Sequence, residues 1–377
     1  MKKKVLFLAH DNYSGGSGRC LLEFLSQLKP EDGIEPIVLT RNNNGLKKAF
    51  VDKGIKTYTC RFGATSIRKN HSKFFWGRIY RPIMNFIAYH YIKHVVNLKK
   101  IDVIYSNSKI IDLGAYLHRK MELPHIWHLR EFGDLDFSLL SFEPNLHKYI
   151  RKNATKAIAV SQLIKKHFEK DIEDDNFVTC IYDGVVGKNF SYTNANFCSD
   201  VLRICFVGTI CEAKGQRLAI EALLKITPAN RKKIQLCIFG DGSSRAFLEK
   251  FVCDFNLREQ VVFKGYCSDV AKELQNYDVG LNLSKCEGFG RTTVEYMLSG
   301  LYVIGSNSGA TPEILDNGKY GTLIPYGDVS ALAKEFENII KNKEIYKKKA
   351  QEGREFALKK FCIENNYKKI VDIINSI

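Results

Sequence analysis

Short apolar runs alternate with longer amphipathic stretches along most of the chain, and this pattern predicts strands followed by helices. The apolar run from Val5 to Ala9 leads into a glycine-rich loop and then into apolar residues at helical spacing, which end at Pro30. From Val201 to Leu223 the same order returns as an apolar strand, Gly208 and a helical pattern. Strands that are separated by helices usually pair in parallel, so the sequence predicts an α/β fold with doubly wound sheets.

The chain is long enough for two such sheets. Its 377 residues exceed the usual size of one domain. Glycine and asparagine residues between positions 186 and 200 indicate a linker. Beyond it the order of strand and helix starts again, and an apolar pattern of helical spacing from Cys362 to Ile377 ends the chain.

The segment from Cys286 to Gly300 predicts a strand end, a glycine-flanked turn and a helix that begins near Thr292. Glu287 lies in the turn and Glu295 lies about one turn into the helix. Exposed N–H groups at a helix start attract anions, so two carboxylates beside them suit a phosphorylated, polyhydroxylated ligand. A second interpretation needs no ligand, because Thr292 and Glu295 also have the spacing of a capping box.

A lysine occupies a comparable place earlier in this half of the chain. Lys214 precedes Gly215 at the end of a loop that leads into a predicted helix. A cation at such a position can neutralise a diphosphate. Further strands that end near Phe239 and Gly265 continue the alternation.

Taken together, these motifs resemble those of the retaining glycosyltransferases of the GT4 type, whose fold, called GT-B, has two facing Rossmann-like domains and an interdomain cleft. The matching segments are Phe206–Gly208, Lys214–Gly215, Gly240–Gly242, Phe263–Gly265, Asp278–Val279, Ser284–Gly290 with Glu295, and Gly309–Ile314. Thr209 departs from the family, which often has an arginine there to hold the donor diphosphate. Asp183 is a second departure, since it occupies the asparagine position of a Tyr-Asn-Gly-Val turn.

The resemblance implies that two domains bind different substrates. An N-terminal acceptor-binding domain would comprise residues 1–187 plus 360–377, with the last helix crossing back onto it. A C-terminal domain of residues 188–359 would bind the nucleotide-sugar donor. A sugar would pass from a UDP- or GDP-sugar to a glycan or lipid-linked acceptor, with its anomeric configuration kept, in surface polysaccharide or glycoconjugate biosynthesis.

The resemblance also implies roles for single residues. Lys214 would stabilise the leaving diphosphate, Glu287 would bind hydroxyls of the donor sugar, and Glu295 would hold the ribose. His128 would contact the reacting sugar, although a buried histidine bonded to backbone is the other interpretation. Catalytic candidates are therefore Glu287, His128 and Lys214. Donor-binding candidates are Gly15, Gly16, Thr209, Gly240, Tyr266, Gly288, Phe289, Gly290, Arg291 and Glu295.

No metal or other cofactor is expected, because preorganised cations and amides can stabilise a departing diphosphate. The Asp-x-Asp sequence of Asp134 and Asp136 would suit a metal-dependent transferase, but it is far in sequence from the donor-like motifs. Two alternatives stay open. One is a relative that epimerises or hydrolyses a nucleotide sugar; the other is a non-catalytic sugar-binding or partner subunit, which Thr209 makes conceivable.

Charge is distributed unevenly along the chain, whose formal net charge is +16. Residues 53–101 contain no Asp or Glu, and they mix basic with aromatic side chains. Such segments bind anionic bilayers, with about 1 kcal/mol for each cation near the surface. We therefore expect peripheral membrane contact here; the alternative is an aromatic core with a solvated basic face. No nucleic-acid partner is expected, because no recognisable nucleic-acid module accompanies the charge.

The eleven cysteines are scattered without close pairs, which favours a reducing compartment. No apolar run approaches the 18 or so residues of a membrane span. The lysine-rich start and apolar stretch resemble a signal peptide, but His10, Asp11 and Asn12 interrupt the apolar stretch early and favour a strand. We expect a cytoplasmic protein, at the inner face of the cell membrane.

Overall fold

The computed structural model describes residues 2–10, 16–43, 45–69, 74–172, 174, 176–192 and 196–377. The chain divides into two compact units, one of Met1–Gly184 with Ile363–Ile377 and one of Val185–Cys362. The boundaries expected from the sequence, 187/188 and 359/360, lie three residues from these divisions. That the first unit binds the acceptor and the second unit binds the donor stays a prediction.

Within the described residues, the first unit contains a parallel sheet of seven strands and an antiparallel pair. Its strands are β1 (Lys3–Ala9), β2 (Ile34–Thr40), β3 (Lys56–Thr59), β4 (Ser66–Arg68), β5 (Val103–Ser106), β6 (His125–Leu129), β7 (Leu139–Ser141), β8 (Lys156–Ala159) and β9 (Val178–Cys180). The order across the large sheet is β3-β2-β1-β5-β6-β8-β9, and β4 pairs with β7. The strand order therefore reverses between β1 and β5, where ligands bind in open α/β sheets.

Helices cover this sheet. They are α1 (Gly16–Gln27), α2 (Gly45–Asp52), α3 (Phe74–Val95), α4 (Leu113–Met121), α5 (Asp134–Phe137), α6 (Leu146–Lys152) and α7 (Gln162–Glu169). Polar side chains define two of the helix starts. Asn145 accepts from the amide of Lys148 at α6, and Ser161 accepts from the amide of Ile164 at α7.

The second unit, described over 185–192 and 196–362, contains a parallel sheet of six strands. They are β10 (Leu202–Val207), β11 (Ile234–Phe239), β12 (Val261–Gly265), β13 (Val279–Asn282), β14 (Tyr302–Ser306) and β15 (Gly321–Ile324). Their order, β12-β11-β10-β13-β14-β15, is the Rossmann order and reverses between β10 and β13. The α/β class with parallel sheets that the sequence predicts is confirmed.

The helices of the second unit are α8 (Gln216–Lys225), α9 (Pro228–Arg231), α10 (Arg245–Asp254), α11 (Val270–Leu274), α12 (Arg291–Leu298), α13 (Thr311–Ile314), α14 (Val329–Lys341) and α15 (Lys343–Lys360). The central strands are buried on both faces, as parallel strands between helix layers are. Cys205 and Cys237 lie in this core as small apolar side chains. All eleven cysteines lie in the described residues, and none of them forms a disulfide bond.

The last helix, α16 (Ile363–Ser376), belongs to the first unit. Lys3 Nζ donates to the carbonyl oxygens of Ile374 and Asn375 at 3.2 and 2.9 Å, which ties the helix to β1. At its start Gly184 approaches Ile363 so closely that an added Cβ would lie 2.4 Å from the Ile363 Cα. Among the described residues, no helix combines the length and apolar composition needed to cross a bilayer.

Candidate active site

Two loops of the second unit lie side by side where its strand order reverses. Strands β10 and β13 are direct neighbours in the sheet. The first strand runs into the loop that contains Lys214, and the second runs into the loop that contains Glu287. Parallel strands present their carboxyl ends at one edge, so the topology brings together two segments that are distant in sequence.

Lys214 and Glu287 form an ion pair across these loops. The distance from Lys214 Nζ to Glu287 Oε1 is 2.5 Å. Ser284 Oγ donates to the same oxygen at 2.7 Å. The two charged side chains keep 35% and 19% of their surface exposed, whereas Ser284 is buried. A carboxylate that is held on one oxygen and partly open to solvent can bind a ligand hydroxyl through its other oxygen.

The backbone at Glu287 is held by the loop that follows β14. Its carbonyl oxygen accepts from the amide of Ala310 at 2.9 Å. Gly309 has φ +57°, and an added Cβ there would lie 2.4 Å from the Glu287 nitrogen. Only glycine allows the two backbone segments to lie this close together. This is the physical reason for the glycine at the start of the Gly309–Ile314 motif.

The start of α12 carries the second carboxylate. The helix begins at Arg291, after Gly290 at φ +88° as N-cap residue, and no side chain caps it. The capping-box interpretation of Thr292 and Glu295 is therefore wrong, because Thr292 lies inside the helix. Glu295 instead accepts at Oε1 from Arg291 Nε at 2.9 Å and is buried.

A tyrosine beneath the site joins its elements. The Tyr296 hydroxyl accepts from the amide of Val207 at 2.7 Å, at the end of β10, and donates to the carbonyl oxygen of Leu281 at 3.4 Å. An added Cβ at Gly280 would lie 2.3 Å from the Tyr296 ring, so glycine is required for this packing. Helix α12 is thereby positioned against both strands that carry the site.

The glycine-flanked turn presents backbone rather than side chains. Gly288, Phe289 and Gly290 are all buried. The Phe289 ring packs against Phe361, with ring centroids 5.9 Å apart, so its side chain serves the core. The amides of the turn precede the positive end of the α12 dipole. Their contact with a donor stays a prediction.

Three further donor candidates of the second unit differ in their surroundings. Thr209 is exposed, and its carbonyl oxygen accepts from Gln216 Nε2 at 2.9 Å. Tyr266 follows β12 and is 68% exposed. The Gly240 amide already donates to the Gly265 carbonyl oxygen at 2.7 Å, and an added Cβ at Gly240 would lie 2.0 Å from the Gly208 oxygen. Close packing of two loops therefore explains this glycine without a ligand.

In the first unit, His128 lies at the corresponding edge of β6 and is fully buried. Its Nδ1 is 2.6 Å from the Tyr105 hydroxyl and 3.3 Å from Arg130 Nη2, so its partners are side chains and not backbone. No described residue forms a hydrogen bond with Nε2. Burial, with the charge of Arg130, holds the pKa of His128 well below its ordinary value, so the imidazole is neutral at pH 7.

The remaining candidates of the first unit are Gly15, Gly16 and the Asp-x-Asp sequence. Gly16 is the first residue of α1, whereas Gly15 lies outside the described residues. Asp136 accepts from the amides of Phe132 and Gly133 at 2.9 and 2.6 Å, a structural role for the Asp-x-Asp sequence. Among the described residues, no cluster of three or more His, Cys, Asp or Glu side chains has the arrangement of a metal site.

A buried ion pair in the first unit was not predicted. Arg130 Nη1 lies 2.5 Å from Asp183 Oδ1, and its Nε donates to Asn107 Oδ1 at 2.9 Å. The Cys20 thiol donates to Asp183 Oδ2 at 3.5 Å. Burial would lower the pKa of Arg130, but Asp183 raises it above its ordinary value. Asp183 in the position of a neutral asparagine was the available signal, because a buried carboxylate requires a cation.

The chain is similar in sequence to a family of glycosyltransferases and to individual proteins. Residues 194–356 match the family model described as "Glycosyl transferases group 1". An uncharacterized glycosyltransferase of Methanocaldococcus jannaschii is 28% identical over 74% of this chain and 76% of its own. The N-acetyl-alpha-D-glucosaminyl L-malate synthase of Bacillus anthracis is 23% identical over 72% and 73%.

Solved structures extend the likeness to the whole chain. The structure of Anabaena HepE in complex with UDP has a TM-score of 0.80 at 20% identity and covers 100% of both chains. The sucrose-phosphate synthase of Thermosynechococcus elongatus has a TM-score of 0.74 at 18% identity, over 100% of this chain and 99% of that one. The fold is that of the GT-B glycosyltransferases, with two Rossmann-like domains. The match to the family model lies within the second unit, so this unit carries the likeness to the glycosyl transferases group 1 family.

Proposed function

We propose that the protein is a retaining glycosyltransferase that moves a sugar from a nucleotide-sugar donor to a glycan or lipid-linked acceptor. The second unit holds the donor, and the first unit binds the acceptor. The observation that carries the proposal is the contact of Lys214 with Glu287, which joins a cation and a carboxylate at the reversal of strand order. This contact lies within the segment that matches the family model.

The chemistry assigns the two charges to the two sides of the bond that breaks. Departure of the nucleoside diphosphate leaves negative charge on phosphate and positive charge on the sugar ring. Lys214 stabilises the first, with the amides of the 288–290 turn at the start of α12. Glu287 binds sugar hydroxyls and favours the positive charge. No metal is needed, and the departing phosphate oxygen accepts the acceptor's proton on the same face of the sugar.

Ser284 acts in this proposal as a positioning residue. It donates to the same Glu287 oxygen that contacts Lys214. When a diphosphate competes for the lysine, this hydrogen bond keeps the carboxylate oriented. Glu295 binds the ribose, and Arg291, whose Nε lies 2.9 Å from Glu295 Oε1, supplies positive charge in place of the family's arginine, whose position Thr209 occupies here.

The names of similar proteins support a first choice of donor. The HepE neighbour is a complex with UDP, and a related structure contains UDP-glucose. Among the sequence relatives, a 2-deoxystreptamine N-acetyl-D-glucosaminyltransferase of Niallia circulans is 25% identical over 57% of this chain. We therefore propose UDP-sugars rather than GDP-sugars as the first donors to test. The biological role that we propose is polysaccharide or glycoconjugate biosynthesis. The proposal includes a cytoplasmic location with peripheral membrane contact through residues 53–101.

Thermal unfolding over a panel of nucleotide sugars tests donor binding. A ligand at 100 times its Kd adds about 2.7 kcal/mol to the free energy of unfolding. We expect one donor to raise the Tm of the wild type and to lose this effect in Lys214→Met. Lys285→Met is the matched control, because Lys285 is an exposed lysine of the Glu287 loop that should leave binding unchanged.

Product analysis then tests the reaction. The bound donor is incubated with and without a mixture of glycan and lipid-linked acceptors, and the anomeric configuration of the product is read by NMR. A new glycosidic bond with the donor's configuration supports the proposal. An inverted product refutes retention, release of free sugar without acceptor indicates a hydrolase, an isomeric nucleotide sugar indicates an epimerase, and binding without turnover indicates a non-catalytic subunit.

A further inference from the structure

Helix α3 presents a continuous apolar face to solvent. All of its residues are described, and seven large hydrophobic side chains on it are 42–68% exposed. They are Phe75, Trp76, Ile79, Tyr80, Ile83, Phe86 and Ile87. With about 100° of rotation for each residue, the seven span roughly 140° of the helix circumference. Contiguous apolar surface of this kind marks an interaction site, whereas scattered single residues do not.

The opposite face of α3 is anchored in the first unit. Asn85, Ala88 and Ile92 are buried. Asn85 accepts from the amide of Gly63 at 2.8 Å and donates to Asp112 Oδ2 at 2.6 Å. Arg81 lies 3.5 Å from the same carboxylate oxygen. Because this face already has polar and apolar partners, the exposed face is a stable feature of the fold.

The surroundings of the apolar face are basic. Residues 53–101 contain no Asp or Glu. Arg78, Lys93, Lys99 and Lys100 are exposed in or just after the helix. Trp76 and Tyr80, with ring centroids 6.5 Å apart, are the aromatic residues that favour the water–lipid boundary. An apolar helix face beside cations, with aromatic residues among its side chains, matches a helix that lies in the interface of a membrane.

Charge argues against a second copy of this chain as the occupant. A two-fold dimer through this face would place the same patch against itself. Two acid-free segments would then face each other and repel, because neither offers a carboxylate to the other's cations. An anionic lipid surface has the complementary charge.

The geometry points to α3 as the element by which the protein docks on anionic membranes, with the seven-residue face inserted among the headgroups. The inference names the surface for the membrane contact in the proposed function. It does not require that glycosyl transfer occur, so a failed transfer assay and a failed docking assay are separate outcomes.

Vesicle sedimentation with the full chain tests the docking. We expect binding to vesicles of phosphatidylcholine with phosphatidylglycerol, and much weaker binding to phosphatidylcholine alone. Raising the salt from about 0.15 to 1 M shortens the Debye length from about 8 to 3 Å and should weaken binding without abolishing it. Lack of binding to the anionic vesicles at low salt would overturn the inference.

The apolar face is tested by a triple variant, Ile79→Gln, Ile83→Gln and Phe86→Gln. Glutamine keeps helix propensity, and the replaced side chains are 42%, 48% and 55% exposed, so the fold should persist. We expect vesicle affinity to fall about tenfold or more. The matched control replaces three apolar residues of similar exposure, 39%, 54% and 57%, on α7, α10 and α15. These are Leu163, Phe247 and Ile345, each changed to Gln.

Tryptophan fluorescence gives a second readout. The chain has two tryptophans, of which Trp76 is 56% exposed and Trp127 is fully buried. Lipids with brominated acyl chains should therefore quench the Trp76 emission, and Trp76→Phe should remove the quenchable part. Equal binding by the triple variant and wild type, or a dimer that the triple variant abolishes without any vesicle binding, would overturn the inference.

Discussion

Each unit places a charged pair beyond the carboxyl ends of its parallel strands, but the two pairs lie in different environments. Each sheet reverses its strand order next to its first strand, between β1 and β5 or between β10 and β13. Beyond this point the second unit holds Lys214 and Glu287 with 35% and 19% of their side chains exposed. In the first unit the pair follows β6 and β9 instead, and Arg130 and Asp183 keep 7% and 12% of their side chains exposed.

The difference in exposure separates two kinds of role. A partly exposed pair can exchange one partner for a ligand at small cost, because water solvates the group that is released. A buried pair is costly to separate, because either charge alone is poorly solvated. We therefore assign ligand chemistry to the pair in the second unit and positioning to the pair in the first.

The largest expected effect comes from breaking the buried pair. Arg130→Met leaves the Asp183 carboxylate without its cation and should lower the free energy of unfolding by about 3–5 kcal/mol. Urea denaturation measures the loss. The double variant Arg130→Met with Asp183→Leu should recover part of it, and a single variant as stable as wild type would show that the pair is not structural.

Breaking the exposed pair should affect activity instead. Glu287→Gln should lower kcat by about 10²–10³-fold, since the charge acts on the transition state, while the Tm stays near that of wild type. Release of nucleoside diphosphate in the presence of acceptor measures kcat. Glu344→Gln, at an exposed glutamate of α15, is the control. A large stability loss in Glu287→Gln with normal turnover would reverse the roles of the two pairs.

As the pH falls, the first unit should lose stability at a higher pH than the second. All nine histidines lie between residues 10 and 167, and none lies in the second unit. Burial lowers the pKa of His125 to about 3 and holds that of His128 well below its ordinary value. Below about pH 6.5 the unfolded chain therefore binds more protons than the folded chain. Each of these two histidines should lower the free energy of unfolding by about 1.4 kcal/mol at about pH 5.5.

Hydrogen exchange at about pH 7.5 and 5.5 measures this difference. After correction for intrinsic exchange rates, peptides of the first unit should lose protection as the pH falls, and those of the second should not. Asp112 and Asp136 act in the opposite direction at lower pH, because burial raises their pKa values. Equal loss in both units would show that the histidines do not control acid stability.

The smallest effect should come from Ser284→Ala. It removes one hydrogen bond to the Glu287 carboxylate, which corresponds to about a tenfold fall in kcat with little change in KM. Ser308→Ala is matched to it, because Ser308 bonds the backbone oxygen of Ser284 and not the carboxylate. Equal losses in both variants would indicate that loop order, rather than the orientation of Glu287, is responsible.

Local pattern was enough to predict the strand, turn and helix around Glu287. The helix was expected near Thr292 and begins at Arg291. The contact with Lys214 spans 73 residues, and the sequence indicated a shared donor site for the two residues only through the family resemblance. The order of the motifs along the chain, and not local pattern, therefore predicted this part of the site.

The sequence pattern did not predict the partner of Asp183 or which face of α3 is exposed. Arg130 and Asp183 are 53 residues apart, and their contact depends on which strands become neighbours in the sheet. In α3, apolar side chains occur around the whole circumference, so periodicity could not separate a core face from an exposed one. The anchoring of Asn85, Ala88 and Ile92 decides between them.

Gly309 couples the loop that follows β14 to the loop that contains Glu287. Any larger residue there would displace the Glu287 nitrogen, since the added Cβ would lie 2.4 Å from it. The carboxylate can thus be misplaced by a change 22 positions away in the sequence. Engineers who wish to retune sugar selectivity should diversify side chains elsewhere and leave this backbone junction as it is.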